Sequence, residues 1–248
     1  MELDGGAAIV TGAGGGIGSA VARRLATEGM SLVLVDRDEA ALERLVASLP
    51  ASTTSTVAVV DVGSVADNER LVELAEDLGG LRLSVLNAGV YLPGLSWEVP
   101  LEQWELQVSV NQWGVIHGVR AAVPAMIERG QGHVVAVASG AGLVATPALA
   151  PYVATKHAVV GLMESLHHEL ARVAPTVHAS VVCPGNVRTP MAANSLSTAG
   201  IEHEELSASV ASLASTIRSG NDAGADASTV ADAIVDAVAE QRFWVLPQ

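Results

Sequence analysis

Three side chains offer a way to move a proton on or off a substrate oxygen: the hydroxyl of Ser139, the phenol of Tyr152 and the ammonium of Lys156. Tyr152 and Lys156 stand at i and i+4 of a segment with helical periodicity, so both project from one face, a turn apart. A phenol titrates near ~10, and a neighbouring ammonium favours its ionised form, which predicts a pKa displaced toward working pH. Such a tyrosine would serve as general acid or base while Ser139 holds the reacting oxygen beside it. A fourth polar group, Asn111, falls in a helix predicted over 101–129, among Val108, Val110 and Val115. A buried amide there demands hydrogen-bond partners. Each residue also has a plainer use: Ser139 as a helix cap, Asn111 as a satisfied core amide, Tyr152 as a core aromatic.

The elements that must position these groups read as alternating strands and helices. Short apolar runs at 7–11, 31–35, 56–60, 83–87, 133–139 and 177–183 lack strict alternation, which predicts strands buried on both faces of a parallel sheet. A last apolar piece at 243–246 follows a helical segment carrying Val230, Ile234 and Val238 on one face, and is expected as a seventh strand at the sheet edge. The predicted fold is therefore α/β: a Rossmann-type doubly wound, mostly parallel seven-stranded sheet with helices on both faces. A chain of 248 residues, half of them hydrophobic, suits one such domain.

Between the first strand and the first helix lies Thr11 followed by Gly12, Ala13, Gly14, Gly15, Gly16, Ile17 and Gly18. Glycines remove the Cβ atoms where a pyrophosphate must approach the backbone, and the helix opening near Gly16 aims unpaired N–H groups at that anion. The spacing is not the commonest dinucleotide fingerprint, and no GK[ST] follows as in a Walker A loop. Asp36 ends the second strand, 18 residues after Gly18, close to the ~20-residue offset at which a carboxylate meets the adenosine ribose. It favours NAD over NADP, because a 2′-phosphate would meet a like charge; Arg37 next to it would pull the other way. Asp61, followed by Val62, ends the third strand and fits two uses equally: a bond to the adenine amine, or the N-cap of a helix over 65–78.

With Asn87, Ala88 and Gly89 closing the fourth strand, the chain resembles the short-chain dehydrogenase/reductase family over nearly its whole length. The resemblance rests on the T-G-x3-G-x-G turn, Asp61, the N-A-G at 87–89, Asn111, Ser139, Tyr152-x3-Lys156 and Pro184-Gly185-x-Val187-x-Thr189, all in the family's order. Leu86 and Gly140 depart from common family residues, and neither removes a reactive group. The resemblance implies hydride transfer between a nicotinamide and a carbinol carbon. Tyr152 would then exchange the hydroxyl proton, Lys156 would also bond the nicotinamide ribose, and Asn111 would serve a water relay or scaffold. From 184 to 189, the backbone of 186–187 is expected near the carboxamide, with Thr189 close by. A homodimer or homotetramer is implied through the helices at 101–129 and 152–173.

Composition excludes other classes. A net charge of −14 with only 13 Lys and Arg argues against affinity for nucleic acid or an anionic membrane. The lone Cys183 permits no internal disulfide, and no histidine spacing suggests a metal, so none is expected. No leader or membrane span is read, and a cytoplasmic protein is expected. Ser139 lacks the GxSxG elbow of a serine hydrolase, and a dinucleotide sensor would need none of Ser139, Tyr152 and Lys156. An epimerase or dehydratase holding NAD tightly also stays open.

Three segments are expected around the reacting carbon: 91–97, the uncharged 140–151, and an insertion after Thr189, spanning about 188–225 and expected as a mobile lid. Glu202, Glu204 and Glu205 in that insertion would repel anionic tails. A neutral, largely apolar ketone or secondary alcohol is therefore expected, ahead of acyl carriers, CoA esters or sugar phosphates.

Overall fold

The computed structural model describes residues 3, 5–199 and 208–247. Seven strands, β1 (Ala7–Thr11), β2 (Ser31–Asp36), β3 (Ser55–Val59), β4 (Leu81–Leu86), β5 (Gly132–Val137), β6 (Val177–Val182) and β7 (Trp244–Val245), form one sheet in the order β3-β2-β1-β4-β5-β6-β7. Every pairing is parallel. The sheet is thus wholly parallel, and β7 lies at its edge as the short apolar run at 243–246 predicts. Order reverses between β1 and β4, so the loops leaving their carboxyl ends part in opposite directions and open a crevice.

The central strands β1, β2, β4, β5 and β6 supply side chains to two cores because both sheet faces are covered, whereas β3, expected to be buried on both faces, lies at the sheet edge with Ala58 buried and Val57 and Val59 exposed. On one face Val10, Leu32, Leu83 and Val135 pack against α1 (Gly16–Thr27) and α9 (Ala227–Glu240). The stripe Val230, Ile234 and Val238 on α9 is fully buried there. On the other face Ile9, Val33, Val134 and Val181 meet α3 (Val65–Asp77), α5 (Gly114–Arg129) and α6 (Ala150–Val173). Here Met126, Met163 and Leu170 fill the interior. The remaining helices are α2 (Glu39–Ala47), α4 (Leu101–Val108), α7 (Met191–Ala199) and α8 (Ala208–Asp222).

Two local expectations change. The helix predicted over 101–129 is α4 and α5 joined by a π-helical turn, Ser109–Trp113. A π turn keeps the helical path but inserts a residue, which an apolar period cannot reveal. α5 ends at Gly130, whose φ of 73° is the left-handed stop that glycine permits. Asp61 does not cap α3: the cap is Ser64, whose side chain accepts the N–H of Asp67. Within the insertion, Glu202, Glu204 and Glu205 lie outside the described residues. Among the described residues no helix is long and apolar enough to cross a membrane.

Candidate active site

The crevice at the carboxyl ends of β1 and β4 is built first by backbone conformation. Gly12, at φ 65°, turns the chain after β1, and a Cβ there would stand 2.9 Å from Ala88 Cα. Gly14 leaves room against Ala41, whose Cβ would be 2.7 Å away from an added methyl. Gly18 serves a different end. A side chain on it would overlap the Gly12 carbonyl, so it lets α1 seat against the turn and does not line the cleft.

Side chains from distant elements hold this turn. Thr11 Oγ1 accepts the N–H groups of Asn87 (2.9 Å) and Ala88 (3.0 Å). Asn87 Nδ2 donates to the carbonyls of Thr11 (2.9 Å) and Gly12 (3.2 Å). Asn87 therefore stitches β4 to the glycine turn as well as lining the cleft. Asp36 Oδ2 accepts the Gly14 N–H at 2.9 Å, and Oδ1 accepts those of Arg37 (2.7 Å) and Asp38 (3.1 Å). Asp61 Oδ1 accepts the Gly63 N–H at 2.9 Å, which bends the chain toward the wall.

The resulting cleft measures about 480 Å³. Gly12, Gly14, Gly15, Gly16 and Ile17 form its floor, Asp36, Arg37, Asp61 and Val62 one end, and Asn87, Ala88 and Gly89 the other. Thr189 closes over Gly16, where an added Cβ would meet the Thr189 methyl at 2.6 Å. The residues present fit a dinucleotide. Cβ atoms at Gly12, Gly14 and Gly16 would crowd Ala88, Ala41 and Thr189, α1 begins after Gly15 without a side-chain cap, and a carboxylate stands at the adenosine end. The other residues of the Pro184 turn frame the site and do not line the cleft. The Pro184 carbonyl accepts the Gly140 N–H at 2.7 Å, Gly185 follows, and Val187, 8% exposed, pairs with Ala225.

The reactive set adjoins the nicotinamide end through Gly89. A Cβ on Gly89 would lie 3.3 Å from Asn111 Oδ1 and 3.5 Å from Lys156 Nζ. Ser139 stands just past β5, where its Oγ accepts the Ala141 N–H at 3.1 Å. The same side chain acts on the Tyr152 phenol in the direction that favours the phenolate. Burial outweighs it and pushes Tyr152 up to about 12. The downward displacement expected from Lys156 is thus not what the protein's own groups produce. Lys156 Nζ instead donates to the Val137 carbonyl at 2.7 Å and lies 5.6 Å from the Tyr152 ring centroid. Its own pKa falls to about 8, because burial penalises the ammonium more than Cys183 supports it.

Asn111 owes its position to the π turn. Its Oδ1 accepts the Val90 N–H at 2.8 Å, and its Nδ2 donates to the Val90 carbonyl at 2.8 Å and to Thr155 Oγ1 at 3.1 Å. The structure therefore brings Asn111, Ser139, Tyr152 and Lys156 together at one end of the cleft. Sequence reasoning missed several supports. Gln107, one turn before Asn111, accepts the Leu92 N–H (3.2 Å), and Ser195 of α7 accepts that of Tyr91 (3.1 Å). Both are buried polar groups, and only the i, i+4 relation of Gln107 to Asn111 was a signal in the chain. Met191 and Asn194 of the same helix also line the cleft.

Residues 6–200 match the family model of the short chain dehydrogenases. A 1-deoxy-11-beta-hydroxypentalenate dehydrogenase of Streptomyces exfoliatus is 40% identical over 196 residues, covering 77% of this chain and 70% of its own. A D-beta-hydroxybutyrate dehydrogenase of Rhizobium meliloti is 33% identical over 215 residues, 80% of each chain. Among solved structures, a short chain dehydrogenase/reductase of Burkholderia phymatum in complex with NAD superposes with a TM-score of 0.93 at 36% identity, covering 99% of this chain and 90% of its own. With the glycine turn, the Tyr152/Lys156 pair and the all-parallel sheet in one arrangement, the chain belongs to the short chain dehydrogenase family of oxidoreductases, which bind a nicotinamide cofactor.

Proposed function

We infer that the protein is an NAD(H)-dependent oxidoreductase interconverting a secondary alcohol and a ketone on a largely apolar, neutral substrate. The observation that carries this reading is the Ser139–Tyr152 hydroxyl pair beside buried Lys156, at the end of a glycine-floored cleft whose far end carries Asp36. When bound, the nicotinamide takes or gives the hydride and, in its oxidised form, adds positive charge near the phenol. Ser139 orients the substrate oxygen toward Tyr152. The phenol donates a proton to the developing alkoxide in reduction and, once ionised, accepts the hydroxyl proton in oxidation. Lys156, whose Nζ donates to the Val137 carbonyl and lies near the Tyr152 ring, would hold the nicotinamide ribose. Asn111 holds Val90 and donates to Thr155, whose hydroxyl in turn donates to the Tyr152 carbonyl.

Asp36 supports NAD as the preferred coenzyme, because its carboxylate, held by the N–H groups of Gly14, Arg37 and Asp38, keeps acceptor capacity on Oδ2 for a ribose hydroxyl and repels a 2′-phosphate. Apolar substrate character is supported by Leu149, Ala141, Met191 and Ile217, which pack around Tyr152. A homodimer or homotetramer belongs to the same reading, supported by exposed Leu101, Trp113 and Ile127 along α4, the π turn and α5. The deciding experiment follows NADH and NADPH consumption with a mixed library of ketones. Turnover with NADH is expected. Preference for NADPH would overturn the coenzyme assignment, and tight NADH binding without any turnover would point to a sensor.

A further inference from the structure

After β4, three successive N–H groups end on side chains: Val90 on Asn111, Tyr91 on Ser195 and Leu92 on Gln107. The middle bond is the one made to the segment covering the site, since Ser195 lies on α7 and is 1% exposed. Tyr91 also meets the other covering helix, α8, whose Ile217 packs against its apolar cluster. Its ring stands edge-on to Tyr152, centroids 5.8 Å apart at 62°. One residue thus touches the proton-transferring phenol and both α7 and α8.

The opposite wall is also fixed. Gly94 donates its N–H to the Ala148 carbonyl at 2.9 Å, and Ala148 takes a left-handed φ of 60°. That places Leu149 with Tyr91 and Tyr152 in one apolar cluster, against which Met191 and Ile217 pack from α7 and α8. Tyr91 and Leu149 thus lie beside Tyr152, each more than nine-tenths buried.

We propose that Tyr91 is the specificity-determining residue of the carbonyl site, selecting ketones and secondary alcohols whose reacting carbon adjoins a ring. The proposal rests on the oxidoreductase reading above. A ring laid against the Tyr91 face and Leu149 buries flat apolar area without freezing rotors, whereas a linear chain loses rotamer freedom against the same walls. The Ser195 bond at the Tyr91 N–H fixes the backbone and the edge-on contact with Tyr152 seats the ring, so selectivity is set by a fixed wall.

The test compares the unsubstituted protein with Tyr91→Phe, Tyr91→Leu and Tyr91→Ala on acetophenone, cyclohexanone and 2-butanone. Two readouts are taken: NADH oxidation, and saturation-transfer NMR of each ketone on the protein with NAD, a combination that does not react. The ring ketones should exceed 2-butanone in kcat/KM by about tenfold or more. Tyr91→Phe should keep that ratio. Tyr91→Leu and Tyr91→Ala should bring it near unity through KM, while the KM for NADH stays put, a pattern that general loss of structure does not produce. An unchanged ratio in the leucine variant overturns the proposal, as does equal binding of all three ketones by the unsubstituted protein. Ring-selective binding that depends on Tyr91 but leads to no turnover would leave the specificity role standing and overturn the oxidoreductase reading alone.

Discussion

Tyr152 and Asp36 stand at opposite ends of the site and fail in different ways when changed. Tyr152→Phe removes the exchangeable proton but keeps the ring against Tyr91, so turnover should fall by about 10²–10⁴ while NADH affinity, read by fluorescence titration, is nearly unchanged. Asp36→Ala removes the carboxylate at the adenosine end. The KM for NAD should rise and NADP should gain on it, because a repulsion of order several kcal/mol at ~4 Å is lifted; unchanged discrimination would assign coenzyme choice elsewhere. His133 gives a prediction about stability. It is fully buried, its Nε2 bonds Ser180 Oγ at 2.7 Å, and burial with His178 nearby lowers its pKa to about 3. Below the unfolded pKa of ~6.5 the unfolded chain takes a proton that the folded one refuses, so stability declines from there toward pH 3. By pH 5 the loss should be about 2 kcal/mol in urea titrations, and His133→Gln should flatten it. At this scale the reactive residues were legible because their chemistry is rare: a tyrosine one turn from a lysine, a serine ending an apolar run. Ser195 and Thr155 were not, because a serine or threonine acquires meaning only from a partner, and theirs lie 104 and 44 residues away.

Elements convert those residues into geometry. The π turn at Ser109–Trp113 is the clearest case, since it delivers Asn111 to both polar groups of Val90. Asn111→Leu would leave that N–H and carbonyl without the amide, each costing about 1–3 kcal/mol when buried. A drop of about 2–5 kcal/mol in unfolding free energy is expected, read as a lower urea midpoint at unchanged slope. A loss below half a kcal/mol would show that water serves Val90 equally well. The central strands were legible nearly to the residue because a run buried on both faces has no polar positions to blur it. Strand ends were less so: Ser139 and Asn87 fall just outside β5 and β4, where ladder pairing stops before the apolar pattern does. The helix from 101 to 129 read as continuous because its apolar spacing carries through the turn, and only the backbone bonds reveal the extra residue. Asp61 and Ser64 were both suitable caps, and the choice between them depends on where the β3 exit points the chain.

At the scale of the molecule, the doubly wound topology was legible from alternation alone, with the reversal between β1 and β4 following from family resemblance and fold rules. What composition could not supply was how the segment after Thr189 sits over the cleft, because α7 and α8 meet it through single contacts such as Ser195 and Ile217. The reversal has a kinetic side. Thr11 and Asn87 are 76 residues apart, and their bonds are what hold the glycine turn against β4. Until β4 docks beside β1, the turn that must receive a dinucleotide has half of its support missing, and such non-local pairing is slow to form. The ability to bind coenzyme should accordingly be acquired late. In refolding from urea, enhancement of NADH fluorescence should grow with the final folding phase and with no earlier one, whereas binding in a burst phase would show that β1 to β3 make a competent turn unaided. Cofactor binding in this chain is then a clock for the joining of its two halves, and the stitch at Thr11 sets when it strikes.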